Sequence, residues 1–412
     1  MTAVLHVIPG LDPTQGGTVA ALMSMAVFQA RQGMRVTVAS MFTAEHPPPR
    51  DVEGRLRDAG VDVRFIGPAR GPLLWHRELS RTLGPLVAAA DVVHAHGVWE
   101  EIQHRAAALA RRQGVPYVVS PHGMLDPFNL SKKWLKKRLY LAWRLRRTLA
   151  HAAAIHFTDE VERDVAARVT AGPPTIVEPC GIDLSEFSRV PPRGTFRSKY
   201  PQVGDRPMVL FMGRLHPKKA PGVLIEAFAQ LPTKEPVLVM AGPDEEGHRA
   251  TLEAAVRRLG LADRTVFTGM LRGEDRVAAL AEADLFALFS HQENFGLAVV
   301  EALACGTPAL ISDGVNIHRR ITEAGVGAVA HVRADEVAAL LEKWLTDAEL
   351  RRSAASRARS FVEQHYDAAA IAEHWTRHYA ALGGARSHTA EGASAGGRGG
   401  EASAAPAGEP GS

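Results

Sequence analysis

Two carboxylates, Glu293 and Glu301, stand eight positions apart around the turn Asn294-Phe295-Gly296-Leu297. The apolar run Leu285–Phe289 before them reads as a buried strand, and Leu297–Ala304 reads as a helix. The start of a helix offers unbonded backbone N–H groups and partial positive charge, which suit a phosphate. Glu293 then lies before the turn and Glu301 one helical turn beyond it. A ligand with a diphosphate in its middle could present a hydroxyl group to each carboxylate.

Other loops carry chemistry of the same kind. Pro13-Thr14-Gln15-Gly16-Gly17-Thr18 follows the first strand and opens the first helix. Gly16 and Gly17 let backbone approach a ligand, or simply make a flexible turn. It is not a dinucleotide fingerprint, because no G-x-G-x-x-G occurs there. Ser120-Pro121-His122-Gly123 follows another strand. A histidine at that end of a parallel strand points into a ligand crevice, where it could donate to a sugar hydroxyl or a phosphate oxygen. It could equally bond its own loop. His94 and His96, which end the strand before, read better as local structural histidines. Arg214 and Lys219, in Gly213-Arg214-Leu215-His216-Pro217-Lys218-Lys219, are cations at a helix start.

These loops need a scaffold that brings them together. Ala3–Ile8, Arg35–Ala39, Val92–His94, Tyr117–Val119 and Ala154–Phe157 are predicted strands, with helices over Val19–Arg31, Glu101–Arg112 and Lys132–Ala150. Such alternation builds a parallel sheet covered on both faces. A Pro/Arg-rich stretch leads to a second run with strands Met208–Phe211, Val237–Met240, Val266–Thr268, Leu285–Phe289 and Ala309–Ile311. Its helices include Leu224–Gln230, Arg249–Leu259, Val277–Glu282, Val337–Trp344 and Leu350–His365. The expected division is a first domain over 1–185, a linker over 186–206, a second domain over 207–366, a closing helix over 367–382 and a disordered tail over 383–412.

The composition excludes several classes. A chain of 412 residues exceeds one ordinary core. Two cysteines, Cys180 and Cys305, make no disulfide framework and point to a reducing compartment. No run approaches the ~18 apolar residues of a membrane span, and the start reads as a strand and not a signal peptide. From Pro127 to Thr158 there is no acidic residue, while Lys132, Lys133, Lys136, Lys137, Arg138, Arg144, Arg146 and Arg147 alternate with large apolar residues. This basic amphipathic segment, 131–147, could lie on an anionic membrane, face a phosphate-bearing acceptor, or pack on the core with solvated cations. No aspartate pair has the D-x-D spacing that can hold a divalent metal, and no His/Cys cluster has zinc-ligand spacing.

Taken together, the E-x7-E block, the Gly-Arg-Leu block and the Pro-His-Gly-Met-Leu block resemble the family 4 glycosyltransferases, retaining enzymes of the GT-B fold, from about Ala3 to about Leu382. The resemblance implies an α/β fold of two doubly wound Rossmann-like domains facing across a cleft, with a last helix that returns to the first domain. It implies a nucleotide-diphosphate sugar donor held mainly by the second domain and a saccharide or lipid-linked acceptor held by the first. Arg214 and Lys219 fall where the family binds the donor diphosphate, Glu293 where it binds donor sugar hydroxyls, and Glu301 where it binds the ribose. His122 would touch the sugar or its phosphate. Gly16 and Gly17 would lie where acceptor and donor phosphate meet. Backbone at Asn294, Phe295, Gly296 and Leu297 would assist, as would the loops at Gly242 and Gly269. Cys180 replaces the usual asparagine in Glu178-Pro179-Cys180-Gly181, which puts the hinge hydrogen bonds in question. No cofactor or metal and no nucleic-acid partner is expected. The expectation is a cytoplasmic enzyme of glycan, exopolysaccharide or glycolipid synthesis, peripheral at the inner membrane face if the basic segment binds there. The competing readings are a nucleotide-sugar epimerase of the same fold and a non-catalytic nucleotide-sugar-binding protein.

Overall fold

The computed structural model describes residues 1–12, 16–131, 140 and 144–394. Most of the basic segment 131–147 therefore lies outside the described residues. Its flanks are the helices Pro127–Ser131 and Arg146–Ala150.

Two parallel sheets form two bodies. The first contains β1 (Ala3–Ile8), β2 (Arg35–Met41), β3 (Asp62–Ile66), β4 (Val92–His96), β5 (Tyr117–Ser120), β6 (Ala154–Phe157) and β7 (Thr175–Val177), in the order β3-β2-β1-β4-β5-β6-β7. The second contains β8 (Met208–Met212), β9 (Val237–Ala241), β10 (Thr265–Gly269), β11 (Leu285–Leu288), β12 (Ala309–Ser312) and β13 (Gly327–Ala330), in the order β10-β9-β8-β11-β12-β13. The central strands are buried along their whole length, as near-continuous apolar runs between two helical layers must be. The strands missed by sequence patterning, β3, β7 and β13, all lie at sheet edges, where partial exposure interrupts the apolar run.

Part of the stretch whose composition reads as a linker is packed structure. Its short helices Leu184–Phe187 and Thr195–Lys199 place Phe187 and Phe196 in the second core. The carboxylate of Glu282 accepts the Phe196 backbone N–H at 2.8 Å. The connection between the bodies is narrower. Ile182 N–H donates to the Tyr366 carbonyl at 2.9 Å, and Ala368 N–H donates to the Ile182 carbonyl at 3.1 Å. A Cβ on Gly181 would lie 2.5 Å from the Ala368 Cα, so the two crossing segments touch backbone to backbone. These bonds are made by main chain, and the Cys180 substitution leaves them intact. The last helix, Ala368–Ser394, lies along helix Gly17–Arg31 and puts Ile371, Trp375 and Tyr379 into the first core. It continues past Leu382, where composition predicts order to end.

That core contains a polar seam. His6, His94, His96 and His156 are buried at the C-terminal ends of β1, β4 and β6, with His122 half-buried beyond β5. Burial lowers the pKa of His6 and of His156 to about 4 and that of His122 to about 3. Burial also holds His94 and His96 well below the ordinary range, helped by their histidine neighbours. All five are neutral in the folded protein at neutral pH. The unfolded chain takes up protons near pH 6.5, which the folded chain refuses until much lower pH. Stability is therefore complete above pH 6.5 and falls as the pH drops toward 4, by up to about 1.4 kcal/mol per pH unit for each histidine. Urea unfolding between pH 7.5 and pH 5 measures this; a midpoint that does not move would contradict it.

Candidate active site

Ligands of open parallel sheets bind beyond the carboxyl ends of the strands, where the strand order reverses. In the first sheet that point lies between β1 and β4, and in the second between β8 and β11. The sequence places Gly16 and Gly17 after β1, His122 after β5, Arg214 after β8 and Glu293 after β11. The structure brings these loops face to face. A Cβ on Gly16 would lie 3.9 Å from a guanidinium nitrogen of Arg214, and one on Gly17 would lie 3.8 Å from a methyl of Leu297.

The second body supplies the positive charge. Arg214 donates through Nη1 to both carboxylate oxygens of Glu245, at 2.5 and 2.6 Å. Lys219 contacts Glu293. Burial, with the charges of Lys218 and Arg214 close by, lowers the pKa of the Lys219 ammonium to about 7, and the Glu245 carboxylate opposes that shift. Helix Leu297–Ala304 begins at Gly296, whose φ of 84° suits glycine, and no side chain caps it. Its first N–H groups thus remain open to an anion. Glu301 accepts from Arg276 at 2.9 Å, and Arg276 also bonds Glu186. Burial raises the Glu301 pKa, while Arg276 works against it.

The neighbouring predicted residues fall into two groups. Phe295 is buried edge-on against Tyr366 with centroids 5.5 Å apart, so only its backbone can meet a ligand. Asn294 reaches across to the first body. Its amide donates to Thr158 Oγ1 at 2.9 Å and to Glu162 at 3.3 Å. Gly242 follows β9 and Gly269 ends β10, on the flank away from β11. Gly242 has a packing reason of its own, since a Cβ there would sit 1.8 Å from the Gly213 carbonyl oxygen.

On the first body, His122 occupies the left-handed region at φ 51°. The following N–H, of Gly123, donates to Glu162 at 2.5 Å. Glu162 also accepts from the Thr158 N–H and hydroxyl at 2.8 and 2.9 Å. A Cβ on Gly123 would meet the Asn294 side chain at 2.8–3.0 Å, so the His122 turn and the Asn294 turn interlock. Arg320 adds a second tie across the cleft, donating to both oxygens of Glu160 at 2.8 Å.

Sequence reasoning missed Glu162, Glu245 and Arg276. Asp159-x-x-Glu162 has the spacing of a helix start, and Asp159 does cap its helix. Nothing in the sequence marks Glu162 as the acid beneath the His122 loop. It also missed that His6, His94 and His96 converge, with one nitrogen of each within 4.8 Å of the others. Their arrangement is poor for a shared metal ion. The His94 and His96 rings stack at 20°, so their in-plane lone pairs run side by side, and the nearby ring nitrogens already have hydrogen-bond partners.

Residues 16–181 match the family model described as "Glycosyl transferase 4-like domain", and residues 192–361 match "Glycosyl transferases group 1". The D-inositol 3-phosphate glycosyltransferase of Actinosynnema mirum is 32% identical over 325 residues, covering 72% of this chain and 75% of that one. The GDP-mannose:cellobiosyl-diphosphopolyprenol alpha-mannosyltransferase of Xanthomonas campestris is 25% identical over 396 residues, covering 94% and 99%. Among solved structures, Anabaena HepE in complex with UDP and glucose superposes with a TM-score of 0.77 at 21% identity, covering 92% of this chain and 100% of that one. WaaG, a glycosyltransferase involved in lipopolysaccharide biosynthesis, superposes with a TM-score of 0.66 at 19% identity, covering 92% and 99%. These likenesses establish the two-domain GT-B architecture. Together with the sequence matches along both bodies, they lead to one conclusion: the chain belongs to the group 1 glycosyl transferases and is a glycosyltransferase.

Proposed function

We propose that this enzyme moves a sugar from a nucleoside-diphosphate donor to an acceptor hydroxyl, with retention of configuration at the transferred carbon. The observation that carries the reading is the approach of Arg214 and of the uncapped helix start at Leu297 to the Gly16-Gly17 loop, with Lys219 close enough to Arg214 to feel its charge. A departing nucleoside diphosphate gains negative charge as the glycosidic bond breaks. Fixed cations and helix N–H groups lower the energy of that state. Arg214 can meet two phosphate oxygens at once, and Lys219 offers a point charge. The donor's phosphates would displace Glu245 and Glu293 from these cations, freeing Glu293 to accept from sugar hydroxyls. Glu301 would accept from the ribose hydroxyls, and His122 would face the sugar.

Among the described residues, no side chain near the cleft stands out as a covalent nucleophile. The acceptor is accordingly proposed to attack the face from which the diphosphate leaves, with a leaving-phosphate oxygen taking the acceptor proton. The curated relatives are named for an inositol phosphate acceptor and a diphosphopolyprenol-linked one. A phosphorylated or lipid-linked acceptor in glycan or glycolipid synthesis is proposed on that basis. Arg105, Arg111 and Arg112 line one groove of the first body together with Arg144 and Arg147 of the basic segment. This surface is proposed to rest on an anionic membrane at its cytoplasmic face. The site cations make a divalent metal unnecessary.

Three outcomes follow for an assay with candidate nucleotide sugars. Arg214→Ala and Lys219→Ala each lower kcat by about 10²–10³-fold while the melting temperature stays near that of the parent. Turnover close to the parent's in either variant would remove the assigned role. Transfer persists in excess chelator; loss of activity that magnesium restores would refute metal independence. The protein floats with vesicles containing anionic lipid at low salt and not with neutral vesicles, and its absence from the anionic fraction would rule out the membrane contact.

A further inference from the structure

The seam of histidines has a direction. The His156 Nε2 lies 2.8 Å from the Glu178 backbone carbonyl, which can only accept. His156 is neutral and has a single N–H, so that proton is on Nε2 and its Nδ1 is an acceptor. The Ser120 hydroxyl, 2.7 Å away, therefore donates to it. Ser120 Oγ then accepts from His94 Nε2 at 2.6 Å, which leaves His94 Nδ1 as an acceptor for the Tyr379 hydroxyl at 2.6 Å. With its proton used, Tyr379 accepts from the Gln29 amide nitrogen at 3.4 Å. That fixes the Gln29 carbonyl toward His6 Nε2 at 2.8 Å, which must donate. His6 Nδ1 accepts from His96 Nε2 at 2.9 Å, and His96 Nδ1 accepts from His122 Nε2 at 3.0 Å. Among the described residues, the last nitrogen, His122 Nδ1, has no partner. It ends the chain as a bare lone pair.

We infer that this one-way chain, anchored at the Glu178 carbonyl and turned by Tyr379 and Gln29, fixes His122 as the Nε2–H tautomer and makes its Nδ1 a receptor for a hydroxyl group, not for a phosphate oxygen. The alternative direction would need Gln29 to rotate its amide. The amide nitrogen would then face His6, every imidazole proton down the line would reverse, and His122 would present an N–H. The Tyr379 hydroxyl is what disfavours this rotation, because its own proton is committed to His94. Tyr379, Gln29, His6 and His96 are thus positioning residues that act through His122. The choice of a sugar hydroxyl as the partner rests on the function proposed above; the tautomer does not.

Full-length protein labelled with 15N-histidine tests the two separately. Long-range 1H–15N correlation without ligand, with His122 assigned by comparison with His122→Gln, shows a protonated Nε2 and an unprotonated Nδ1. A protonated Nδ1, or an even mixture, in the parent protein overturns the proposal. Tyr379→Phe mixes the His122 tautomers. An unchanged His122 pattern in folded Tyr379→Phe overturns it. In turnover, Tyr379→Phe lowers kcat by about tenfold and loses this effect in a His122→Gln background. Equal losses in both backgrounds would overturn the link to catalysis while leaving the donor reading standing.

Discussion

Two half-desolvated cations, Arg214 and Lys219, are the constraint from which the rest of the site follows. A cation taken from water needs an opposite charge close by. Here each finds a carboxylate within the second body, Glu245 for Arg214 and Glu293 for Lys219. The cost of gathering positive charge in this part of the cleft is offset by these pairs. Glu301 follows the same logic with Arg276. Each acid the sequence marks as a ligand group is held in reserve by a base.

Polar contacts tie the two bodies together across the cleft. Asn294 sits between Glu293 and the Phe-Gly turn, yet its amide belongs to the first body through Thr158 and Glu162. Glu162 holds the backbone that follows His122. One buried acid therefore sets both the His122 turn and the seat of the loop that bears Glu293. The geometry of the candidate site depends on how the two bodies sit together, because its parts are bonded to both.

Much of this was legible in the sequence. The central strands of both sheets, the helix after Gly296 and the loops at Gly16, His122, Arg214 and Glu293 follow from apolar runs ending in glycine and charge. Edge strands were not legible, because β3 and β7 carry exposed positions that break the pattern. Partners distant in the chain were not legible either. Nothing local tells Glu245 that it will meet Arg214, or tells the histidines of β1 and β4 that they will meet Tyr379. The reading of Pro/Arg-rich residues as a linker erred for a related reason: Phe187 and Phe196 are isolated in sequence and find their core only in three dimensions.

The return of the last helix also orders the protein's birth. The second body has all its strands and Trp344, Phe361 and Tyr366 by the time residue 366 leaves the ribosome. The first body, although synthesised earlier, waits for Trp375 and Tyr379 to cover β1 and β4 and to complete the buried polar seam. Domains ordinarily mature in the order in which they are made. In this chain the earlier half is finished last, so a truncated nascent product exposes an uncovered sheet in its older half while its younger half is already whole.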